Sequence, residues 1–291
     1  MLRGLLIALS ESTTARRLVK SAPGARTMAG RFVAGESVED GLRATKTLNQ
    51  SGMSVSLDCL GESVSSRAEA EAAAAVYLRL LERIAQLKLN ANVSLKLTQM
   101  GQDIDQQFLR ENVGRVLDRA REHDIFVRFD MESSAYTQRT LDFFRVLWGE
   151  GYRNIGVVIQ SYLLRSASDI EQLDRAGVRV RLCKGAYKEP AGVAFPEKAD
   201  VDKNYLALMG TLLDHGNYPG IATHDERMIA ATQEYARQTG TPNSAFEFQM
   251  LYGVRRDLQQ RLVAQGYNLR VYLPFGEAWY PYLMRRMAER P

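Results

Sequence analysis

The chain has 291 residues, of which 45% are hydrophobic and 25% charged, the proportions of an ordinary globular protein with a sizeable core. The 38 lysines and arginines against 34 aspartates and glutamates give a net charge of +4, too even a balance for a surface that coats nucleic acid. The few cysteines and histidines argue against a disulfide scaffold and show no metal-ligand spacing: Cys59, Cys183, His123, His215 and His224.

The N-terminal segment contains an apolar stretch at residues 5–9 that is interrupted too soon for a signal peptide or a membrane span. The residues before Val38 have the pattern of an extra helical arm. We therefore expect a cytoplasmic protein that folds under reducing conditions.

From residue 54 onwards the chain repeats one pattern, a short apolar run, a polar loop and an amphipathic helical stretch. Strands are predicted at 54–59, 92–97, 125–130, 155–160, 178–184, 219–223, 245–249 and 269–273. Helices are predicted at about 66–89, 106–122, 136–150, 166–176, 203–215, 226–239, 253–266 and 277–289. Several of these helices end at a glycine, as helices commonly do: Gly151, Gly177, Gly216, Gly240 and Gly266.

Strict alternation of strands and helices predicts right-handed βα units around a parallel sheet. Eight such units in a chain of this length favour an α/β fold of the closed (β/α)₈ TIM type rather than an open sheet. No linker or low-complexity segment interrupts the pattern. We therefore expect one domain over residues 1–291, with residues 1–37 as an N-terminal helical arm.

In a barrel of this type the chemistry takes place where the strands end and the following loops begin. The predicted strands end in an unusual number of polar side chains, namely Asp58, Glu62, Lys96, Asp130, Glu132, Gln160, Arg181, Lys184, Thr223, His224, Glu247, Gln249 and Tyr272. A strand-end lysine among apolar residues, such as Lys96, is either paired and functional or costly, because an unpaired buried ammonium is unfavourable. The strand ends therefore predict an active site.

The C-terminal residues 272–289 read Y-x-P-x-G-x-x-W-x-P-Y-x-x-R-R-x-x-E. Strand eight is predicted to end at Tyr272, and a short helix then presents Arg285 and Arg286 side by side. Two guanidinium groups suit a bidentate grip on a small carboxylate. Without further context, a solvated basic surface is the commoner outcome for such a pair.

This segment resembles the substrate-binding end of FAD-dependent proline dehydrogenases, both the free-standing enzymes and the dehydrogenase domain of bifunctional proline utilisation proteins. Further elements similar to that family follow in the same order along the chain: LGE at 60–62, VSLKL at 93–97, FDME at 129–132, VIQSY at 158–162, RLCKGAY at 181–187, ATH at 222–224 and FEFQMLYG at 246–253. Position 183 departs from the pattern, since the family often has an apolar residue where this chain has Cys183.

The resemblance implies a substrate site for L-proline. The catalytic residues that it implies are Lys96, Asp130, Tyr272, Arg285 and Arg286, with the arginines and Lys96 on the carboxylate and Asp130 pairing with Lys96. It assigns the pocket wall to Tyr187, Leu251 and Tyr272, and it implies that Glu62 pairs with Arg286 when the last helix closes. A zwitterionic substrate does need cations on one side and an apolar face where a C–H bond breaks.

The same resemblance implies a non-covalent FAD, because no histidine or cysteine lies in a flavin-attachment motif. It assigns the cofactor contacts to Asp130, Met131, Gln160, Arg181, Lys184, Gly185, Ala186, Thr223 and His224. A cation such as Arg181 beside the flavin ring stabilises its anionic reduced form. The implied reaction moves a hydride from proline C5 to flavin N5 and yields 1-pyrroline-5-carboxylate.

The reduced flavin is then expected to pass its electrons to a membrane quinone. 1-Pyrroline-5-carboxylate dehydrogenase is the partner implied for the product, and no metal or nucleic acid is expected. The sequence leaves open a peripheral association with the inner face of the membrane.

Two other functions fit the residues. In one, the chain is an aldolase-type lyase, in which Lys96 forms a Schiff base and the arginine pair holds a carboxylate or phosphate. In the other, it is a barrel that binds a ligand without catalysis. The residues alone favour the aldolase and the flavoenzyme equally, and only the family resemblance separates them.

Overall fold

The computed structural model describes residues 29–289, apart from the side chains of Arg285, Ala288 and Glu289. Eight parallel strands close into a barrel in chain order. The strands are β1 Ser54–Cys59, β2 Ala91–Leu95, β3 Val127–Phe129, β4 Ile155–Gln160, β5 Arg179–Cys183, β6 Gly220–Ala222, β7 Glu247–Leu251 and β8 Leu269–Phe275. The predicted (β/α)₈ fold is thus confirmed.

Helices alternate with these strands along the chain. They are α1 Val38–Gln50, α2 Arg67–Gln86, α3 Leu97–Met100, α4 Gln106–Glu122, α5 Ser134–Gly149, α6 Ser166–Arg175, α7 Lys198–His215, α8 Glu226–Thr239, α9 Arg256–Ala264 and α10 Trp279–Glu289. The predicted helices correspond to α2 and α4–α10, whereas α1 and α3 were not predicted. Most of the predicted arm, residues 1–28, lies outside the described residues.

Local sequence signals explain several helix boundaries. Ser37 and Asp40 form a capping box at the start of α1, in which the Ser37 hydroxyl accepts from the Asp40 backbone N–H at 3.1 Å. Gly240 ends α8 with φ +72°, a left-handed conformation that favours glycine. Gly216 also follows its helix but is extended, with φ −75°, so the predicted left-handed glycine stop does not apply there.

The position of α1 explains where the last helix goes. α1 packs on the outside of β1 and β8, and a Cβ atom on Gly41 would lie only 3.2 Å from both Leu57 and Phe275. The eighth helix of the alternating series, α10, packs instead in a separate apolar cluster with Leu60 in the loop after β1. α10 therefore lies at the C-terminal end of the barrel, beside the predicted site.

The strands alternate between two environments. In β1, Val55 and Leu57 belong to the apolar layer beneath the helices, whereas Ser56 and Asp58 point inwards. The other strands also contribute polar residues to the barrel interior, including Arg128, Arg181, Glu247 and Gln249, all at most 5% exposed. The barrel interior is therefore charged and hydrogen-bonded towards the C-terminal end, where the site lies.

Candidate active site

A cavity of about 430 Å³ opens at the C-terminal ends of the strands. Every side chain predicted for the site, apart from that of Arg285, lines it: Glu62, Lys96, Asp130, Met131, Gln160, Arg181, Lys184, Gly185, Ala186, Tyr187, Thr223, His224, Leu251, Tyr272 and Arg286. Residues from β1 to β8 and from α10 therefore meet in one place, as the barrel rule predicts. The side chain of Arg285 is outside the described part of the chain.

Lys96 is buried at the end of β2 and has two carboxylate partners. Its Nζ donates to Asp58 Oδ1 at 3.1 Å and to Oδ2 at 3.3 Å, and lies 3.9 Å from Asp130 Oδ2. The predicted Lys96–Asp130 ion pair is present, but Asp58 supplies the hydrogen bonds that orient the ammonium. Both β1 and β3 are neighbours of β2, but the two oxygens of Asp130 already accept hydrogen bonds from Arg181 and Tyr272, so Asp58 is the closer partner of Lys96.

These partners determine the charge of Lys96. Burial lowers the pKa of the ammonium, but the negative charges of Asp58 and Asp130 outweigh burial and raise the pKa above its ordinary value. Lys96 is therefore a fixed cation at neutral pH and is a poor amine nucleophile.

Arg181 and Tyr272 hold Asp130 from two sides. Arg181 Nη1 donates to Asp130 Oδ1 at 2.8 Å, and the Tyr272 hydroxyl donates to Asp130 Oδ2 at 2.6 Å. The Arg181 guanidinium carbon also lies 5.2 Å from the centre of the Tyr272 ring. Burial and the nearby carboxylates of Asp130 and Asp58 raise the pKa of Tyr272, so its phenol stays protonated and donates.

The cavity also has an apolar lining. Tyr187 and Leu251 form part of it together with the ring of Tyr272. His224 Nε2 accepts a hydrogen bond from the Leu251 backbone N–H at 2.8 Å, which ties the end of β6 to the end of β7. His224 therefore presents its other ring nitrogen as the N–H donor.

α10 brings Arg286 and Tyr282 to the cavity, with the guanidinium carbon of Arg286 lying 5.3 Å from the centre of the Tyr282 ring. Glu62 lines the same cavity from the loop after β1, so the predicted Glu62–Arg286 pair would join two of its walls. Arg286 and Lys96 thus supply positive charge to one cavity from different elements.

Two residues predicted to contact a cofactor have other partners here. Lys184 Nζ lies 2.5 Å from Asp202 Oδ1 and 2.9 Å from Asp225 Oδ2, so carboxylates already balance its charge. Gly185 has φ +109°, and a Cβ there would meet the Tyr162 ring at 2.5 Å. Packing against Tyr162 and the left-handed backbone therefore require a glycine at 185 before any ligand is considered.

Asp58 and Gln249 line the cavity, but the sequence assigned them no role. Gln249 Oε1 accepts from Arg181 Nε, and its Nε2 donates to Glu247 Oε1 at 2.6 Å. Both residues were visible as polar strand ends. Only the pairing of β1 with β2, and the meeting of inward side chains from β5 and β7 on either side of β6, shows what they contact.

Within residues 29–289, no group of three or more His, Cys, Asp or Glu side chains could hold a metal ion. The helices of the same residues include none that is long and apolar enough to cross a bilayer. Cys59 and Cys183 are both free thiols.

The fold and the site define a class, a (β/α)₈ barrel whose C-terminal cavity sets fixed cations against an apolar wall. Residues 41–290 match the proline dehydrogenase family. The chain is 43% identical over 289 residues to proline dehydrogenase 2 of Bacillus subtilis, covering 99% of this chain and 95% of that protein. It is 44% identical over 268 residues to proline dehydrogenase of Deinococcus radiodurans, covering 91% and 86% respectively.

A solved structure of proline utilization A from Bdellovibrio bacteriovorus, inactivated by N-propargylglycine, is similar with a TM-score of 0.86 and 30% identity. The similarity covers 95% of this chain, which spans 34% of that longer protein. The chain belongs to the proline dehydrogenase family, whose members are oxidoreductases of proline catabolism.

Proposed function

We propose that this chain binds FAD non-covalently in the cavity and oxidises L-proline to 1-pyrroline-5-carboxylate. The observation that carries the proposal is the meeting, in one cavity, of fixed cations from β2 and α10 with an apolar wall from β7 and β8. A small zwitterion needs both, because its carboxylate requires positive charge and its reacting carbon requires a dry surface.

The residues present fit a flavin. Gln160 Oε1 is buried in the cavity wall without a hydrogen-bond partner among the described residues, so it can accept from a bound ring N–H. Arg181 uses three of its five N–H groups on Gln249, Asp130 and Ser56. We assign Gln160, Arg181, Asp130 and Met131 to the isoalloxazine, Lys184, Gly185 and Ala186 to the ribose and phosphates, and Thr223 and His224 to the adenosine.

When bound, FAD supplies the acceptor for a hydride from proline C5 and then a donor of electrons to a membrane quinone. Lys96 and Arg286, with Arg285 as the third cation, bind the substrate carboxylate. Tyr187, Leu251 and Tyr272 exclude water from the ring of the substrate. Asp130 accepts the hydrogen bond of the Tyr272 hydroxyl and so fixes the orientation of the phenol, and Arg181 provides a fixed positive charge.

The competing aldolase function requires Lys96 to become a neutral amine. The two carboxylates beside Lys96 raise its pKa, and they therefore oppose Schiff-base formation at ordinary pH. This favours the electrostatic role of Lys96 over the nucleophilic one.

Because the proposed electron acceptor is a quinone in the membrane, we propose that the enzyme is cytoplasmic and associates peripherally with the inner face of the membrane. The bifunctional PutA proteins of Escherichia coli and Klebsiella aerogenes contain a region similar to this chain over 23% of their length. We propose that a separate 1-pyrroline-5-carboxylate dehydrogenase consumes the product here.

Colour tests the proposal directly. The purified protein should be yellow, and anaerobic addition of L-proline should bleach it. A colourless protein that takes up no FAD when titrated with it, or a yellow one that proline leaves oxidised, would contradict the proposal.

A further inference from the structure

A chain of buried hydrogen bonds runs through the barrel interior beneath the cavity. Arg270 Nε donates to Glu247 Oε1 at 2.7 Å, and Gln249 Nε2 donates to the same oxygen at 2.6 Å. Arg181 Nε in turn donates to Gln249 Oε1. Glu247 and Gln249 are each 3% exposed and Arg181 is 5% exposed, so these hydrogen bonds are largely shielded from water.

The neighbours of the Gln249 amide leave it one orientation. A carboxylate such as Glu247 only accepts hydrogen bonds, and a guanidinium such as Arg181 only donates them. The amide must therefore turn its NH₂ towards Glu247 and its oxygen towards Arg181. The opposite orientation would set two acceptors against each other on one side and two donors on the other.

Charge and space both support this arrangement. Burial raises the pKa of Glu247, but the positive charge of Arg270 and the hydrogen bonds that the carboxylate accepts outweigh it, and the pKa falls below its ordinary value. Glu247 therefore stays an anion. Gly220 on the neighbouring β6 provides the space, because a Cβ there would lie 2.4 Å from Gln249 Nε2.

This series of hydrogen bonds ends at residues that line the cavity. With its Nε held by Gln249, the Arg181 guanidinium has only one rotation in which Nη1 reaches Asp130 at 2.8 Å and Nη2 reaches Ser56 at 3.2 Å. Asp130 in turn receives the Tyr272 hydroxyl. The orientation of the Gln249 amide thus fixes the position of Arg181, and Arg181 in turn holds Asp130 in the cavity wall.

We propose that Gln249 is a positioning residue for the proline dehydrogenase reaction, which acts through Arg181 and is itself oriented by Glu247. The inference rests on the proposed function, in which Arg181 faces the flavin. Gln249 fixes the guanidinium where its charge acts on the reduced cofactor, while Lys96 and Arg286 bind the substrate without its help.

Two variants of the full-length protein separate this role from simple packing. Gln249→Met keeps the volume and removes both hydrogen bonds. The double variant Glu247→Gln with Gln249→Glu exchanges the amide and the carboxylate. The carboxylate at position 249 still accepts the hydrogen bond from Arg181, and the amide at position 247 now donates to that carboxylate. The net charge is unchanged. Gln102→Met is the matched control, since Gln102 is 2% exposed and lies outside the cavity.

Three quantities are measured for each variant: the dissociation constant of FAD with the apoprotein, the midpoint potential of bound FAD, and kcat and KM for proline. We expect Gln249→Met to lower kcat by about tenfold to a hundredfold, the range for a lost hydrogen bond to a charged group. Its midpoint potential should become more negative, while KM stays near wild type. The exchanged pair should recover most of both losses, and Gln102→Met should match the wild type.

If the wild type binds FAD and oxidises proline, and Gln249→Met has the same kcat and midpoint potential, the role of Gln249 is refuted while the proposed function stands. An exchanged pair that is as impaired as Gln249→Met would refute it too, because packing would then matter rather than donor and acceptor order. If Gln249→Met does not fold, the exchanged pair is compared with the single variant Gln249→Glu. In that single variant two carboxylates lie side by side. Their repulsion grows as they ionise, so its kcat should fall further as pH rises. A wild type that binds no FAD would overturn the proposed function first, and this inference with it.

Discussion

Single residues in this barrel carry charge in places where charge is costly unless it is compensated. Lys96 lies between Asp58 and Asp130, and Arg181 lies against Asp130. Removing one member of such a buried set leaves an uncompensated charge, which costs more than the pair itself contributes. Substitutions that remove one of these charges should therefore keep the volume of the side chain, and the stability of each variant should be measured beside its activity.

Arg286→Met should raise KM for proline by about tenfold or more, because a charge-assisted contact to the carboxylate is lost. FAD content should stay near normal, since the proposed flavin contacts lie on the strands and the loops that follow them, not on α10. Steady-state kinetics and the flavin absorbance measure the two effects. Arg261→Met is the control, because Arg261 lies half-exposed on α9 and pairs with Glu226 away from the cavity. Loss of FAD with an unchanged KM would refute the carboxylate role.

Lys96→Met should weaken proline binding and still allow slow bleaching of the flavin at high proline, because the ammonium contributes charge rather than a covalent bond. In the wild type, borohydride with a carbonyl substrate should leave Lys96 unlabelled, since the raised pKa keeps the amine protonated. Peptide mass spectrometry checks the labelling. An adduct at Lys96 in flavin-free protein that turns substrate over would favour the aldolase.

Asp174 on α6 is predicted to destabilise the protein at neutral pH. Both of its carboxylate oxygens are buried without a partner among the described residues, and they lie at the negative end of the helix dipole. Burial raises the pKa of Asp174 from 3.8 to about 6, and the nearby His215 only partly opposes this. The folded state therefore binds the proton more tightly than the unfolded state, and its stability falls as pH rises from about 4 to 6.

Asp174→Asn should consequently raise the free energy of unfolding by about 1 kcal/mol at pH 7, a figure discounted for partial solvent screening. The gain should vanish at about pH 3, below the unfolded-state pKa, where the wild-type carboxyl is mostly protonated in both states. Urea unfolding at the two pH values measures the difference. Asp142→Asn, at a carboxylate on α5 that already pairs with Arg145, should bring no gain at either pH. An equal gain at both pH values would count against the role of ionisation.

Among the elements, those with strong periodicity were predicted well, and the reasons for the failures are physical. The bounds of β1 and β4 were predicted as they are found, as were those of α4 and α8. α1 was missed although its sequence carries local helix signals: Ser37 and Asp40 form a capping box, and Val38 and Leu42 lie on one buried face with Gly41 and Thr45. What the sequence does not reveal is that this face packs on β1 and β8.

The strand bounds near the site shifted for related reasons. β7 was predicted at 245–249 and is found at Glu247–Leu251, because residues Asn243–Ala245 form a 3₁₀ turn before it. β8 continues to Phe275 beyond the predicted end, and Pro274 is paired with Asp58 in the ladder to β1. A proline usually ends a strand, but here pairing with β1 continues β8 past Pro274.

Gly41 offers a test of how tightly α1 packs. Gly41→Val should cost about 1–3 kcal/mol of stability, because its methyl groups must displace Leu57 and Phe275. Gly149→Val is the matched control, since a Cβ at this position in α5 meets nothing within 4 Å and the change should stay within about 0.5 kcal/mol. Chemical unfolding of both variants gives the comparison, and equal effects would show that the interface between α1 and the barrel tolerates side chains.

For the whole molecule, the sequence predicted most of the polar residues that line the cavity, because the barrel rule brings all strand ends to one face. Of the pairings between those residues, it predicted Lys96 with Asp130 but not the contacts of Asp58 and Gln249. The contact of Asp58 with Lys96 follows from the pairing of β1 with β2, and that of Gln249 with Arg181 from the position of β7 and β5 on either side of β6. Such contacts join residues 38 and 68 positions apart in the chain, where periodicity carries no information.

The last prediction concerns the cofactor and the stability of the entire barrel. The proposed FAD site takes residues from several strands, among them Gln160 of β4, Arg181 of β5 and Thr223 after β6, so a ligand there binds only the closed barrel. Free FAD in excess should then add about 1.4 kcal/mol to the free energy of unfolding for each tenfold rise in its concentration. The Tm of the holoprotein should accordingly exceed that of the apoprotein and rise with added FAD.

Denaturation followed by filtration completes this test, because a non-covalent flavin should pass into the filtrate. Riboflavin serves as the control: it lacks the adenosine and phosphates, so it should raise the Tm less than FAD at equal concentration. Colour that stays with the precipitated protein would refute non-covalent binding. A Tm that does not respond to FAD would refute a site built across the strand ends, because any ligand held by several strands must stabilise the state in which those strands are assembled.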